Sequence, residues 1–177
     1  MNTSLLLHLN SWAASHAWAD GVVRFFAKDV IALVGLGLLV LLAREVRRRG
    51  VRAGVPTAVV LGVSFLLGLL AGVAYPERRP FQDHPVRLLF SHDPGQSFPS
   101  DHATAAFACA VAVALLLSRG WGVLLFVLAF AIGAARVAAG LHYPGDVLGS
   151  LLVAVIGGCA GLLARRLLDR SPAMLVR

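Results

Sequence analysis

The chain of 177 residues is 58% hydrophobic and 14% charged, with a mean hydropathy of +0.79. Ordinary soluble domains carry roughly a quarter charged residues, so this composition argues against that class and indicates a membrane protein. The net charge is +7, and 15 of the 16 basic residues are arginines. These arginines flank apolar segments and form no single solvated stripe, which argues against nucleic-acid binding.

In chain order, the pattern predicts a short N-terminal helix followed by five membrane spans. Within residues 1–19, Leu5, Leu9 and Trp12 fall at helical spacing, which predicts an amphipathic helix in the membrane interface. Five later stretches each reach or approach the roughly 20 apolar residues that cross a bilayer. They are residues 22–42, 55–74, 103–117, 121–139 and 147–163. A sixth span, made from residues 5–26, is the alternative.

The predicted fold is therefore an all-α integral membrane helical bundle, with residues 1–177 forming one membrane-embedded domain. Gly68 and Gly72 stand four residues apart in the second span, a spacing that lets a neighbouring helix approach closely. Cys109 and Cys159 stand singly in apolar runs, so neither a zinc site nor a disulfide is expected. The N-terminus shows no basic segment with a cleavage site, so no removable signal peptide is expected.

The distribution of basic residues predicts the topology. The connector at residues 44–52 carries five arginines, which assigns it to the cytoplasm by the positive-inside rule. Strict alternation then places ten of the 16 basic residues inside and the loops 75–98 and 140–146 outside. All the polar residues that can carry chemistry therefore reach the same outer face.

Those residues are suited to phosphate chemistry. Ser100 is a good N-cap, and the helix that follows it offers free N–H groups to an anion. Arg79 and Arg136 can form bidentate bonds to phosphate oxygens. Arg136 lies within a predicted span, where an unpaired cation costs about 3 kcal/mol or more, so it needs a partner or ligand.

Two histidines complete the predicted site. Asp146 follows His142 by four residues, close enough to hold one ring nitrogen and leave the other free to attack phosphorus. His102 would then protonate the leaving oxygen and later activate water. Such a site uses arginines in place of a metal, so neither a metal nor a cofactor is expected. The remaining histidines are interpreted as interfacial; they are His8, His16, His84 and His92.

Three motifs carry a family resemblance. They are Arg79-Pro80, then Pro99-Ser100-Asp101-His102, then Arg136-x5-His142-x3-Asp146. Together they resemble the signature of the type 2 phosphatidic acid phosphatase superfamily. The small size and the amino-acid sequences at residues 27–29 and 97–102 look most like those of bacterial undecaprenyl-diphosphate phosphatases of the bacitracin-resistance type.

The resemblance implies a helical membrane enzyme with His142 as nucleophile, His102 as acid/base and Asp146 as the residue that orients the nucleophile. It implies Arg79, Ser100 and Arg136 as phosphate ligands. The chain departs from the family pattern at Gly72, where a lysine is usual, and at Asp101 and Ala135. Asp101 is nevertheless expected to contact the substrate. Lys28 or Arg78 would supply the missing cation; the alternative is that Lys28 only snorkels to the interface. The first hypothesis predicts that Lys28→Ala loses turnover while remaining folded.

The expected function is hydrolysis of undecaprenyl diphosphate at the outer leaflet of a bacterial inner membrane, with the lipid bilayer and its lipid substrate as partners. A phosphatidylglycerophosphate or phosphatidic acid phosphatase is the nearest alternative. A vanadate-dependent haloperoxidase has a similar pocket, but five apolar spans argue against it. A non-catalytic lipid carrier or flippase is the non-enzymatic alternative, and it would not need His142 paired with Asp146.

Overall fold

The computed structural model describes residues 2–170, which are helical apart from turns and loops and contain no strand. Between residues 2 and 170, eight α-helices follow one another. They are α1 (Asn2–Ser15), α2 (Ala17–Lys28), α3 (Val30–Arg49), α4 (Val55–Ala74), α5 (Pro80–Asp83), α6 (Asp101–Ala112), α7 (Arg119–Ala138) and α8 (Pro144–Arg170). The all-α prediction is confirmed.

In the described part of the chain, four helical segments are long and apolar enough to cross a membrane. They are Ala17–Arg49, in which α2 and α3 join at Asp29, then Val51–Ala74, Arg119–Ala138 and Pro144–Arg170. The predicted third span corresponds to α6, which continues through a π-helical turn to Leu117 as a shorter apolar helix. The chain is thus a multi-pass membrane protein, with four long spans and one shorter helix where five spans were predicted.

Helix α6 forms the centre of the bundle. Apolar side chains surround it on all sides, and it packs against α3, α4, α7 and α8. Nearly every residue from Ala103 to Val113 is buried, with Phe107 fully enclosed. A helix that is apolar on every face is stable only inside such a bundle. Its N-terminus, which follows Ser100, is therefore held rigidly.

The N-terminal helix α1 docks on the bundle through a face other than the apolar face that was predicted to lie in the membrane interface. Leu6, Asn10 and Ala13 are buried, whereas Leu5 and Trp12 are exposed. Asn10 donates from Nδ2 to the carbonyl oxygens of Arg87 and Ala138, both at 2.8 Å. Because α1 ends at Ser15 and has 14 residues, the alternative of a sixth span over residues 5–26 is not supported.

Helices α4 and α8 pack closely against each other. A Cβ at Gly157 or Gly161 of α8 would collide with Ser64 or Val60 of α4, so these glycines allow the contact. The glycines predicted for this role, Gly68 and Gly72, instead face the segment 96–104. They allow the loop before α6 to lie against α4.

The basic residues of the connector and the predicted site residues lie at opposite ends of the bundle. Arg49, Arg52, Leu116 and Arg165 line one cavity of about 240 Å³, so the basic connector and the C-terminal end of α8 meet at one end of the bundle. The loops that carry Arg79, Ser97 and His142 meet at the other end.

Candidate active site

The predicted site residues come from separate segments that converge at one end of the bundle. Arg79 immediately precedes α5, and Ser100 immediately precedes α6. Arg136 lies in the last turn of α7, His142 in the loop that follows, and Asp146 in the first turn of α8. Since α6, α7 and α8 pack on one another, the three segments keep a fixed geometry.

His142 is the centre of the group and is only 1% exposed. Its Nδ1 lies 2.9 Å from the carbonyl oxygen of Ser97 and 3.3 Å from Oδ2 of Asp146. Both neighbours are acceptors, so Nδ1 carries the proton and Nε2 keeps its lone pair. Burial lowers the pKa of His142, which favours this neutral form.

Two arginines converge on the lone pair of His142. Arg79 Nη1 lies 3.1 Å and Arg136 Nη2 lies 3.3 Å from Nε2. Both guanidinium groups are buried. Within residues 2–170, neither arginine forms a salt bridge, and the Nε atom of each has no hydrogen-bond partner. Buried cations are costly unless an anion compensates them, so the pair is suited to hold an oxyanion beside Nε2.

Asp146 holds His142 and caps α8 at the same time. Its Oδ2 accepts hydrogen bonds from the backbone N–H of Tyr143 at 2.8 Å and from Ser97 Oγ at 2.5 Å. Helix α8 begins at Pro144, so Asp146 lies in its first turn. The carboxylate reaches back from the first turn to satisfy an N–H group at the start of the helix.

Ser100 is the N-cap of α6, as predicted. It has an extended backbone conformation, and its Oγ accepts from the N–H of Ala103 at 3.5 Å. Ser150 of α8 fixes the same residue by donating to the Ser100 carbonyl at 3.0 Å. The positive end of the α6 dipole therefore lies at the end of the bundle that holds the arginines.

His102 faces the same site from the first turn of α6. Its half-buried ring lies within electrostatic range of Arg136 and His142. Asp101 acts at similar range on both Arg79 and Arg136, although its side chain is exposed. The structure thus brings the two predicted catalytic histidines to one end of the bundle.

Comparison with known proteins agrees with this arrangement. The family model of the PAP2 superfamily matches residues 50–170, more than half of the chain. The chain belongs to the PAP2 superfamily. This confirms the resemblance that the three motifs carry.

Several PAP2 relatives match most of the chain. The putative undecaprenyl-diphosphatase YbjG of Escherichia coli (strain K12) is 37% identical over 158 residues, which cover 89% of this chain and 79% of the relative. The undecaprenyl-diphosphatase BcrC of Bacillus subtilis (strain 168) is 34% identical over 163 residues, with coverages of 89% and 81%. The crystal structure of Aquifex aeolicus LpxE superposes with a TM-score of 0.74 at 28% identity and covers 92% of this chain and 94% of that one.

The departure from the PAP2 pattern at position 72, where a lysine is usual, lies beside the loop that leads to Ser100. A Cβ on Gly72 would lie 3.0 Å from the carbonyl oxygen of Phe98 and 3.2 Å from Oε1 of Gln96. A side chain at position 72 would therefore require this loop to shift by a few tenths of an ångström.

Neither proposed substitute for that lysine joins the arginine pair. Lys28 is exposed, and its Nζ lies 5.3 Å from the centre of the Phe90 ring. The side chain of Arg78 is 67% exposed and pairs with Asp83 at 3.1 Å. The contacts of the described residues give no support to either as a phosphate ligand.

Three further residues of this PAP2 site were not among the predicted ones. Ser97 contacts both His142 and Asp146, and His92 Nε2 lies 3.4 Å from Arg136 Nη2. Glu77 lies within hydrogen-bonding reach of Asp146. Ser97 stands in the predicted motif stretch, whereas His92 and Glu77 stand in a polar loop where spacing alone gives no signal.

Proposed function

We propose that this PAP2 protein hydrolyses undecaprenyl diphosphate to undecaprenyl phosphate and inorganic phosphate through a phosphohistidine intermediate. Two PAP2 relatives that cover most of the chain, YbjG and BcrC, carry undecaprenyl-diphosphatase in their names. The observation that carries the reaction is the Nε2 lone pair of His142, fixed from behind by Ser97 and Asp146 and faced by two buried arginines.

In the first step, Nε2 of His142 attacks the terminal phosphorus. The N–P bond forms while the bond from phosphorus to the bridging oxygen breaks, and His102 gives its proton to that leaving oxygen. Arg79 and Arg136 hold the equatorial oxygens, where negative charge accumulates, and the N-terminus of α6 adds to the field. Asp146 stabilises the positive charge that develops on the imidazole of His142.

In the second step, water attacks the phosphorus of the phosphohistidine. His102 accepts a proton from the water, the P–N bond breaks, and inorganic phosphate leaves. The same two arginines stabilise this transition state, because the phosphoryl group stays in place while the leaving and entering oxygens exchange. The cycle returns both histidines to their starting protonation states.

The proposed location is the bacterial inner membrane, with the site facing the periplasm. This orientation is supported by the exposed arginines at the opposite end of the bundle, such as Arg48 and Arg52, because cytoplasmic segments are enriched in basic residues. In a variant lacking both cysteines, Asp93→Cys is expected to react with an impermeant maleimide from the periplasmic side, and Arg48→Cys is not. The reverse pattern would contradict this orientation.

The test is phosphate release by detergent-purified protein from three lipids. Undecaprenyl diphosphate is expected to be the best substrate by kcat/KM, ahead of phosphatidylglycerophosphate and phosphatidic acid. Activity is expected to be unchanged in excess chelator, because two arginines supply the charge that a metal would supply. No phosphate release from any lipid would leave a carrier or flippase as the better interpretation.

A further inference from the structure

The two oxygens of the Asp146 carboxylate have very different surroundings. Oδ2 accepts from Ser97 Oγ and Tyr143 N and faces Nδ1 of His142. Oδ1 is equally buried, yet among residues 2–170 no ordinary donor reaches it. A buried carboxylate oxygen without a donor is costly, so the environment of Oδ1 requires an explanation.

The side chain of Glu77 lies within hydrogen-bonding reach of the Asp146 carboxyl group. The backbone holds it there, because the carbonyl oxygen of Glu77 accepts from the N–H of Ser97 at 2.7 Å and Arg78 pairs with Gln96 in an antiparallel bridge. The segments 77–78 and 96–97 are thus held together. This arrangement fixes Ser97 against one oxygen of Asp146 and Glu77 beside the same carboxyl group.

Two adjacent carboxyl groups are stable when they share one proton. Burial, followed by the charge of Asp146, raises the pKa of Glu77 to about 7. The other titratable groups around the pair are His142 and Arg79, which interact with Asp146, and Tyr143, whose pKa is raised by burial and then by the charges of Glu77, Asp83 and Asp146. Because the carboxylate of Asp146 accepts from Nδ1 of His142, Glu77 is the member of the pair that holds the proton.

We propose that Glu77 is a positioning residue, which in its neutral form donates its carboxyl proton to Oδ1 of Asp146 and holds that carboxylate aligned on His142. Loss of the proton would place two negative charges side by side, turn the Asp146 carboxylate and add a negative charge near the phosphate site. Turnover should therefore decrease as Glu77 ionises. Nothing in the three family motifs assigns this residue.

The kinetic test compares Glu77→Gln and Glu77→Ala with wild type between pH 5 and 9. The amide of Gln keeps a donor for Oδ1 and does not ionise, so we expect near-wild-type kcat at pH 6 and a weaker decrease above pH 7. Ala removes the donor, and we expect kcat to fall about ten-fold with little change in KM. Glu45→Gln, at the opposite end of the bundle, is the matched control and should retain the wild-type profile.

Three results would overturn the proposal. One is wild-type turnover and an unchanged pH profile in Glu77→Ala. Another is a Glu77→Gln profile identical to that of wild type. The third is equal inactivation of folded Gln and Ala variants, since a neutral donor would then be insufficient.

Thermal unfolding gives a second readout that needs no substrate. The folded-state pKa of Glu77 is raised above its ordinary value of 4.5 to about 7, so the contribution to stability is complete below about pH 4.5 and is lost as pH rises to about 7. The melting temperature of Glu77→Gln should therefore rise relative to wild type between pH 5 and 7.5. A constant difference across this range would contradict the proposal.

The kinetic arm rests on the proposed function, whereas the unfolding arm does not. If wild type fails to hydrolyse undecaprenyl diphosphate but hydrolyses another lipid phosphate, the pH comparison is made with that lipid. If wild type releases no phosphate from any lipid, the proposed function fails and the melting comparison still decides the Glu77–Asp146 interaction.

Discussion

Arginines at the two ends of the bundle have opposite environments. At the site end, Arg79 and Arg136 are 8% and 3% exposed and converge on one imidazole nitrogen. At the other end, the side chains of Arg49 and Arg165 are 61% and 42% exposed and pair with acids four residues away in their own helices. Burial therefore separates arginines that can bind a ligand from arginines that set topology.

The physical basis of this difference is desolvation. Exposed i,i+4 ion pairs contribute only a few tenths of a kcal/mol, so replacing one changes little. A buried guanidinium costs several kcal/mol unless a partner compensates it. Two such groups beside each other are compatible with a stable fold when the site regularly binds an anion, as a phosphatase site does.

The largest expected effect comes from His142, the residue on which the buried arginines converge. His142→Ala removes the proposed nucleophile, so we expect kcat to fall by at least about 10⁴-fold. His8, which is exposed on α1, provides the control, and His8→Ala should keep wild-type turnover. Phosphate release under saturating substrate measures both. Undiminished activity in His142→Ala would show that the nucleophile is another group.

The second-largest effect is expected from Arg136. Because α7 carries one arginine at each end, Arg136 and Arg119 allow the two ends of the bundle to be compared within a single helix. Arg136→Lys keeps the charge but loses the planar pair of donors, and we expect kcat/KM to fall about 10²-fold. Arg119 is exposed at the opposite end of α7, and Arg119→Lys should remain within about two-fold of wild type. Equal effects of the two substitutions would remove the distinction between the two ends.

Much of this comparison could be predicted from the sequence, because apolar run length and arginine position are local signals. Ser100 as N-cap of α6 and the bounds of α4 followed from such signals. The start of α8 did not, because the last span was predicted to begin at residue 147, whereas Pro144 takes the first helical position. His92, Ser97 and Glu77 depend on how the long loop folds back on the helices, which no periodicity encodes.

A smaller effect is expected from Ser97, whose contribution is divided between backbone and side chain. Ser97→Ala keeps the carbonyl that accepts from His142 Nδ1 but removes the hydrogen bond from Oγ to Asp146. A hydrogen bond to a charged group contributes about 1.5–3 kcal/mol, so a loss of about ten-fold in kcat is expected. Ser11→Ala, on the exposed side of α1, is the control. Full activity in Ser97→Ala would indicate that Tyr143 N–H and Glu77 position Asp146 without the Ser97 hydroxyl.

The smallest effect is expected from Lys28, a cation at the site end that is exposed like those at the other end. The missing family lysine made Lys28 a candidate phosphate ligand, but its ammonium lies over the Phe90 ring and away from the arginine pair. A solvated cation–π contact is worth about 0.5–1 kcal/mol, so Lys28→Ala should keep kcat/KM within about three-fold of wild type. Lys28→Met, which keeps an apolar chain over Phe90, separates packing from charge. A loss of turnover above ten-fold in both variants would mean that substrate binding draws Lys28 into the site. Exposure in the free protein would then be a poor guide to which cations bind phosphate.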